Sequence, residues 1–184
     1  IALYRCRQRD SWIYLRSKRN SVMMSNRVWK FGDNINTDIL APGVYIKLPI
    51  DELASHCLES IDPSFASKVA EGDVIVAGNN FGMGSSREQA AQVLRELGII
   101  AVIAASFGGI FYRNAFNIGL PAIISKDVLK ITTDHQIKLD LKAGRIRNVT
   151  TNQDLIGEKV PENLLTLIEA GGLVPYLEYN LKNE

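Results

Sequence analysis

The feature that most limits what this chain can fold into is a run of strand and helix patterns between residues 73 and 125. "DVIVAG" reads as a buried strand of β-branched residues. Residues 86–97 place Ala90, Val93, Leu94 and Leu97 on one helical face. "IIAVIAAS" (99–106) reads as a second buried strand, "FGGIFYRNAFN" as a second helix, and "PAIIS" (121–125) as a third strand after Gly119. Strands separated by single helices pair in parallel through right-handed crossovers, which predicts an α/β core.

The flanking segments attach to this core. "RVWKF" predicts a short strand, "GDNINTD" is polar and turn-rich, and Pro42–Gly43 in "ILAPGVYIKL" marks a turn. Residues 50–70 predict one or two short helices, the second opening with Asp62 as cap and Pro63 at its first position. "QIKLDLKAGRIRNVT" alternates about Lys142–Ala143–Gly144 as a hairpin does. "PENLLTLIEAGGL" reads as a helix with Pro161 near its start and Gly171 at its end. With 184 residues, 46% of them apolar, and no repeat or linker, residues 25–184 are expected to form one domain. Residues 1–24 read as a separate N-terminal extension, either an added piece or a leader-like one, in which "SWIYL" offers aromatic surface for docking.

Charge and cysteine usage narrow the partners. Six of the 21 Lys and Arg fall in residues 1–25 against one of the 20 acids, so the rest carries four more acids than bases. Nucleic acid is not an expected partner for such a body, and no run of 18 apolar residues predicts a membrane span. Cys6 and Cys57 have no metal-ligand spacing, so no metal site is expected. Reduced thiols point to the cytoplasm, with Cys57 a buried, inert thiol. His56 and His135 fit no catalytic pattern.

The stretch "GNNFGMGSSREQA" (78–90) is where chemistry is expected. A P-loop fails because Met83 stands five residues after Gly78 and no lysine is present. A dinucleotide fingerprint through Gly82 and Gly84 fails at Arg87, and there is no nucleophile elbow. What remains is a strand leading through a flexible loop to a helix N-terminus, which attracts anions, with Arg87 in the first turn supplying a fork suited to a carboxylate. Two readings of the serines stay open. Ser85-x-x-Glu88 and Ser86-x-x-Gln89 are both capping boxes, so one serine can close the helix while the other faces the cleft.

Taken together, "GDNINTDILAPGVYI", "GNNFGMGSSREQA" and "SFGGIFYRNAFNIGLP" resemble the small subunit of 3-isopropylmalate dehydratase, which is similar to the swivel domain of aconitase. The resemblance spans about residues 27–175. It implies an α/β fold of the swivelling β/β/α type and a hydro-lyase that removes water from a hydroxy-dicarboxylate, most directly 3-isopropylmalate in leucine biosynthesis. Homoaconitate and 2,3-dimethylmalate are the alternatives. It also implies a large partner subunit carrying a [4Fe–4S] cluster, in a heterodimer or heterotetramer, with no cofactor on this chain.

Carried over by motif position, Ser85 is the base that takes a proton from carbon and Arg87 holds a substrate carboxylate. Ser86, Gly84, Asp38, Lys47 and Arg113 would line the substrate site. Asp38 also reads as a turn or cap residue, and Arg113 as a solvated helical cation. Two positions depart from the family pattern. Gln89 stands where the family usually has histidine, and Lys47 falls in a loop that often carries a specificity arginine. Two other functions compete with catalysis on sequence alone: a non-catalytic carboxylate-binding module, and a purely structural interaction domain.

Overall fold

The computed structural model describes residues 22–24 and 27–182. The aromatic "SWIYL" segment and Cys6 lie outside the described residues. Two four-stranded sheets form the chain's framework. The parallel sheet has the order β2 (Val28–Lys30), β3 (Val74–Ala77), β4 (Ala101–Ala104) and β5 (Ala122–Ile124). Its order is its sequence order, as single crossovers require. The antiparallel sheet has the order β1 (Val22–Met24), β6 (Ile137–Asp140), β7 (Arg145–Asn148) and β8 (Gln153–Ile156).

Burial follows the side-chain chemistry. Every residue of β3 and β4 is buried, as it must be in a parallel sheet covered on both faces. By contrast, Ile137 and Leu139 of β6 are buried while Lys138 between them is exposed, which is the alternation of a sheet with one solvated face. The parallel sheet's crossovers carry α1 (Thr37–Leu40), α2 (Ile50–Ala54) and α3 (Phe65–Lys68) between β2 and β3, α4 (Gln89–Glu96) between β3 and β4, and α5 (Gly109–Asn117) between β4 and β5. Helices α6 (Glu162–Ala170) and α7 (Leu173–Leu181) close the chain. Gly171 ends α6 in the left-handed conformation at φ 86°, the geometry that the "EAGGL" ending predicts.

Several boundaries differ from expectation. Helix α4 begins at Gln89, three residues later than the apolar pattern suggests, and Arg87 therefore lies in the lead-in to the helix. The "DPS" helix begins at Phe65, with Ser64 at its cap position. Asp62 Oδ1 instead accepts from the Ser64 backbone N–H at 2.9 Å and from its hydroxyl at 2.8 Å, forming a turn before the helix. Strands β1 and β8, helix α7 and the one-turn helix α1, which begins at the end of "GDNINTD", carry too few residues or too weak a periodicity to be read from sequence.

Candidate functional site

Three loops meet at the carboxyl ends of β2, β3 and β4, the edge where open parallel sheets place their ligands. Their backbones are bonded directly. Asn34 N donates to Asn79 O at 2.7 Å, Gly82 N to Ile35 O at 2.6 Å, Phe81 N to Ser106 O at 3.0 Å, and Gly108 N to Phe81 O at 2.8 Å. Two glycines make the approach possible. A Cβ on Gly78 would sit 1.8 Å from Asp33 Oδ1, which accepts from Asn79 N at 2.6 Å, and a Cβ on Gly82 would sit 2.2 Å from Phe111 Cγ of α5. The glycines of the 78–90 stretch serve close packing of loops, not a phosphate cradle.

On this platform α1 meets the serine loop. Asn36 caps α1 by accepting from Ile39 N at 2.9 Å. Thr37, 1% exposed, points inward. Its N–H donates to Met83 O at 2.9 Å, its Oγ1 accepts from Ser85 N at 3.0 Å, and its Oγ1 lies 3.2 Å from Ser85 Oγ. A Cβ on Gly84 would approach Thr37 Oγ1 to 2.8 Å, so only glycine lets the loop close on this threonine. The capping alternative for Ser85 is thereby resolved. Its hydroxyl turns to Thr37, and the start of α4 receives no side-chain cap.

Arg87 donates through Nη1 to Asp38 Oδ1 and to the Ala41 carbonyl at 3.1 Å. Asp38 is 64% exposed and the Arg87 side chain 26%, so the pair sits at the rim of the site with the guanidinium the better covered partner. Gly43 packs on this pair, its Cβ position 3.3 Å from Arg87 Nη2. The segment 36–43 therefore touches Ser85 through Thr37, and Arg87 through Asp38, Ala41 and Gly43.

The structure gathers Ser85, Arg87, Asp38 and Gly84. Ser86 is exposed beside them. Lys47 and Arg113 are exposed on neighbouring elements and form no hydrogen bond or ion pair with the described site residues. Sequence reasoning misses Thr37, Ala41 and Gly43, because "GDNINTD" reads only as a polar turn and the contacts these residues make with the 84–87 loop are tertiary. Both histidines have structural partners. His56 stacks on Tyr45 with ring centroids 3.6 Å apart and contacts Glu59 at 2.7 Å. His135 bonds Thr132 and Asn148.

No group of three His, Cys, Asp or Glu side chains converges on a metal position among the described residues. Cys57 is 1% exposed in the core, where burial pushes its thiol up. These residues do not fit a cluster. No helix among the described residues is long and apolar enough to cross a membrane. A concavity of about 420 Å³ lies away from this chemistry, on the charged face of the antiparallel sheet between Lys138, Asp140, Arg145, Arg147 and Asp154. Its Arg147 is already paired with Asp154 at 2.9 Å. The Ser85 region is an open rim, which a second surface would have to cover to make an enclosed site.

Known proteins agree with this architecture. The aconitase C-terminal domain family matches residues 23–128. The methanogen homoaconitase small subunit of Methanothermobacter thermautotrophicus is 48% identical over 83% of this chain and 89% of its own length. The 3-isopropylmalate dehydratase small subunit 1 of Thermotoga maritima is 47% identical over 85% of this chain and 95% of its own. A crystal structure of a 3-isopropylmalate dehydratase from Methanocaldococcus jannaschii superposes with a TM-score of 0.81 at 44% identity, covering 86% of this chain and 95% of that one. With the family's domain over more than half its length and such relatives over most of the rest, this chain belongs to the 3-isopropylmalate dehydratase small-subunit family of aconitase C-terminal, swivel-type domains.

Proposed function

We propose that this chain is the small subunit of a cytoplasmic hydro-lyase that dehydrates a hydroxy-dicarboxylate, with 3-isopropylmalate the first substrate to test, and that it works only when a large subunit covers the Ser85 rim. The [4Fe–4S] cluster of this reading belongs to the large subunit, where it supplies Lewis acidity toward the substrate hydroxyl. This chain contributes the base and a carboxylate holder. Ser85 Oγ, as the alkoxide, takes the proton from the substrate carbon. The C–H electron pair becomes the new double bond, and the neighbouring hydroxyl leaves on the side that the partner covers. Arg87 holds one substrate carboxylate, Asp38 orients Arg87, and Gly84, Ser86, Lys47 and Arg113 border the substrate.

The observation that carries this reading is the Ser85 hydroxyl at an exposed rim, held 3.2 Å from a buried threonine hydroxyl, with Arg87 two residues away. Activating a serine at neutral pH needs a depression of roughly six pKa units, about 8 kcal/mol. The dipole of α4 contributes little. That helix starts four residues after Ser85, and the dipole's effect of about 0.3–2 kcal/mol fades within the first turn. Exclusion of water by the partner, together with fixed donors, must supply most of the shift.

The test is anaerobic reconstitution with the large subunit against a panel of hydroxy-dicarboxylates. Ser85→Ala is expected to lower kcat by roughly 10³-fold or more, with KM nearly unchanged. A fully active Ser85→Ala complex removes Ser85 from this role. A wild-type complex inactive on every hydroxy acid leaves a carboxylate-binding module.

A further inference from the structure

From the bonding of the two hydroxyls, we infer that Thr37 is the positioning residue for Ser85 and the built-in donor to its charged form. The inference deepens the function proposed above and rests on Ser85 being the base. Thr37 Oγ1 already accepts the Ser85 backbone N–H at 3.0 Å, and the Ser85 hydroxyl lies 3.2 Å away. A hydroxyl has one hydrogen and two lone pairs. With one lone pair on the N–H, Thr37 can share a hydrogen bond in either direction with a neutral serine. Once Ser85 is an alkoxide the direction is forced, and Thr37 Oγ–H donates to Ser85 Oγ. The same N–H contact fixes the backbone from which Ser85 projects, so loop position and charge stabilisation come from one buried side chain.

The surroundings are built for this contact. Thr37 is 1% exposed, so its hydroxyl does not exchange partners with bulk water. Its own N–H is anchored on Met83 O at 2.9 Å, and Asn36 caps the turn that carries it. Gly84 leaves the space the loop needs, since a Cβ there would lie 2.8 Å from Thr37 Oγ1. The charged side chains of this site, Asp38 and Arg87, engage each other and leave Thr37 as the hydroxyl's bonded neighbour.

Hydrogen bonds to charged groups are the strong ones, and losing one moves a pKa by about one to two units. In the reconstituted enzyme, Thr37→Val is expected to move the acidic limb of the kcat profile up by about one to two pH units. At pH 7 kcat then falls roughly 10–100-fold with little change in KM. Thr37→Ser, which keeps the hydroxyl, is expected to restore the wild-type midpoint. A Thr37→Val enzyme with the wild-type midpoint, or a Thr37→Ser enzyme as impaired as Thr37→Val, overturns the inference.

A second readout is independent of turnover. In a Cys6→Ser background, where Cys57 is buried, Ser85→Cys leaves one accessible thiol at the site. The pH dependence of its alkylation by iodoacetamide gives its midpoint, which is expected to rise by about one unit when Thr37→Val is added. An unchanged midpoint rejects the donor role even if Ser85 is the base, whereas an active Ser85→Ala enzyme rejects the base and leaves the thiol measurement standing. Should Thr37→Val fail to fold, Thr37→Ala carries the same readouts.

Discussion

Arg87 reaches back 49 positions along the sequence to bond Asp38 in the first turn of α1, and its second bond, at 3.1 Å, goes to the carbonyl of Ala41 just past the end of that helix. The guanidinium is thus oriented before any substrate arrives. A planar fork held this way presents its remaining N–H groups in a fixed direction, which an ammonium on a flexible stem does not.

Arg87→Lys is therefore expected to lower kcat/KM by roughly 10–100-fold, through both KM and kcat. Asp38→Asn keeps the shape and removes the charge, so KM is expected to rise by about 3–10-fold while stability changes by less than about 0.5 kcal/mol, because Asp38 is 64% exposed. Steady-state kinetics of the reconstituted enzyme, with thermal melts of the isolated chain, separate the two effects. An Asp38→Asn protein with unaltered KM would deny Asp38 its orienting role.

Gly82 and Gly84 are two residues apart, and their replacements should fail differently. At φ +72°, a Gly82 Cβ would lie 2.2 Å from Phe111 Cγ in the core, so Gly82→Ala is expected to cost roughly 2–5 kcal/mol and lower the melting temperature by many degrees. Gly84, at φ +117°, meets only the Thr37 hydroxyl at 2.8 Å. Gly84→Ala should cost about 1–2 kcal/mol and lose activity out of proportion to its stability. Melting curves and kcat measured on the same preparations distinguish these outcomes.

Arg95 ties three helices together. Its Nη1 donates to the carbonyl of Ile118 at the end of α5 and to that of Gly171, at 3.0 Å, at the end of α6. Burial pushes its guanidinium down to about 10, still charged at neutral pH. Arg95→Met leaves both carbonyls without this donor and is expected to cost about 2–3 kcal/mol, measurable by urea denaturation. A cost below about 0.5 kcal/mol would mean that water replaces the guanidinium freely.

Asp127 makes part of the stability pH-dependent. Its carboxyl is held below its ordinary value of 3.8, first by the hydrogen bond from the Lys130 side chain at 2.8 Å and then by that from Ile156 N at 3.1 Å. A carboxylate lowered in the folded state binds fewer protons than in the unfolded chain, so its contribution is complete above 3.8 and is lost as the pH falls through the folded value. Asp127→Asn should destabilise the chain by up to about 1 kcal/mol at pH 7, with a difference from wild type that vanishes in strong acid. A difference independent of pH would assign the effect to packing.

The parallel core was legible because β3 and β4 are unbroken apolar runs of the length that only a doubly covered strand uses, with helices of clear period between them. The start of α4 is not legible locally, because Ser85 and Ser86 both look like caps while the helix begins at Gln89. What moves the start is tertiary, since the Ser85 N–H and hydroxyl both engage Thr37, 48 positions earlier. Ser85, Arg87 and Asp38 could be named from their motifs. Their mutual bonds could not, because no local rule links a one-turn helix near residue 37 to a loop near residue 85.

Thr37 and Asp38 are consecutive, yet one faces the interior and the other the rim, so four residues of α1 steer both the hydroxyl and the guanidinium. A chimera built to acquire a relative's substrate preference would have to exchange residues 36–43 and 82–89 as one cassette. Grafting either half alone would misalign the two groups against each other before any new substrate could be recognised.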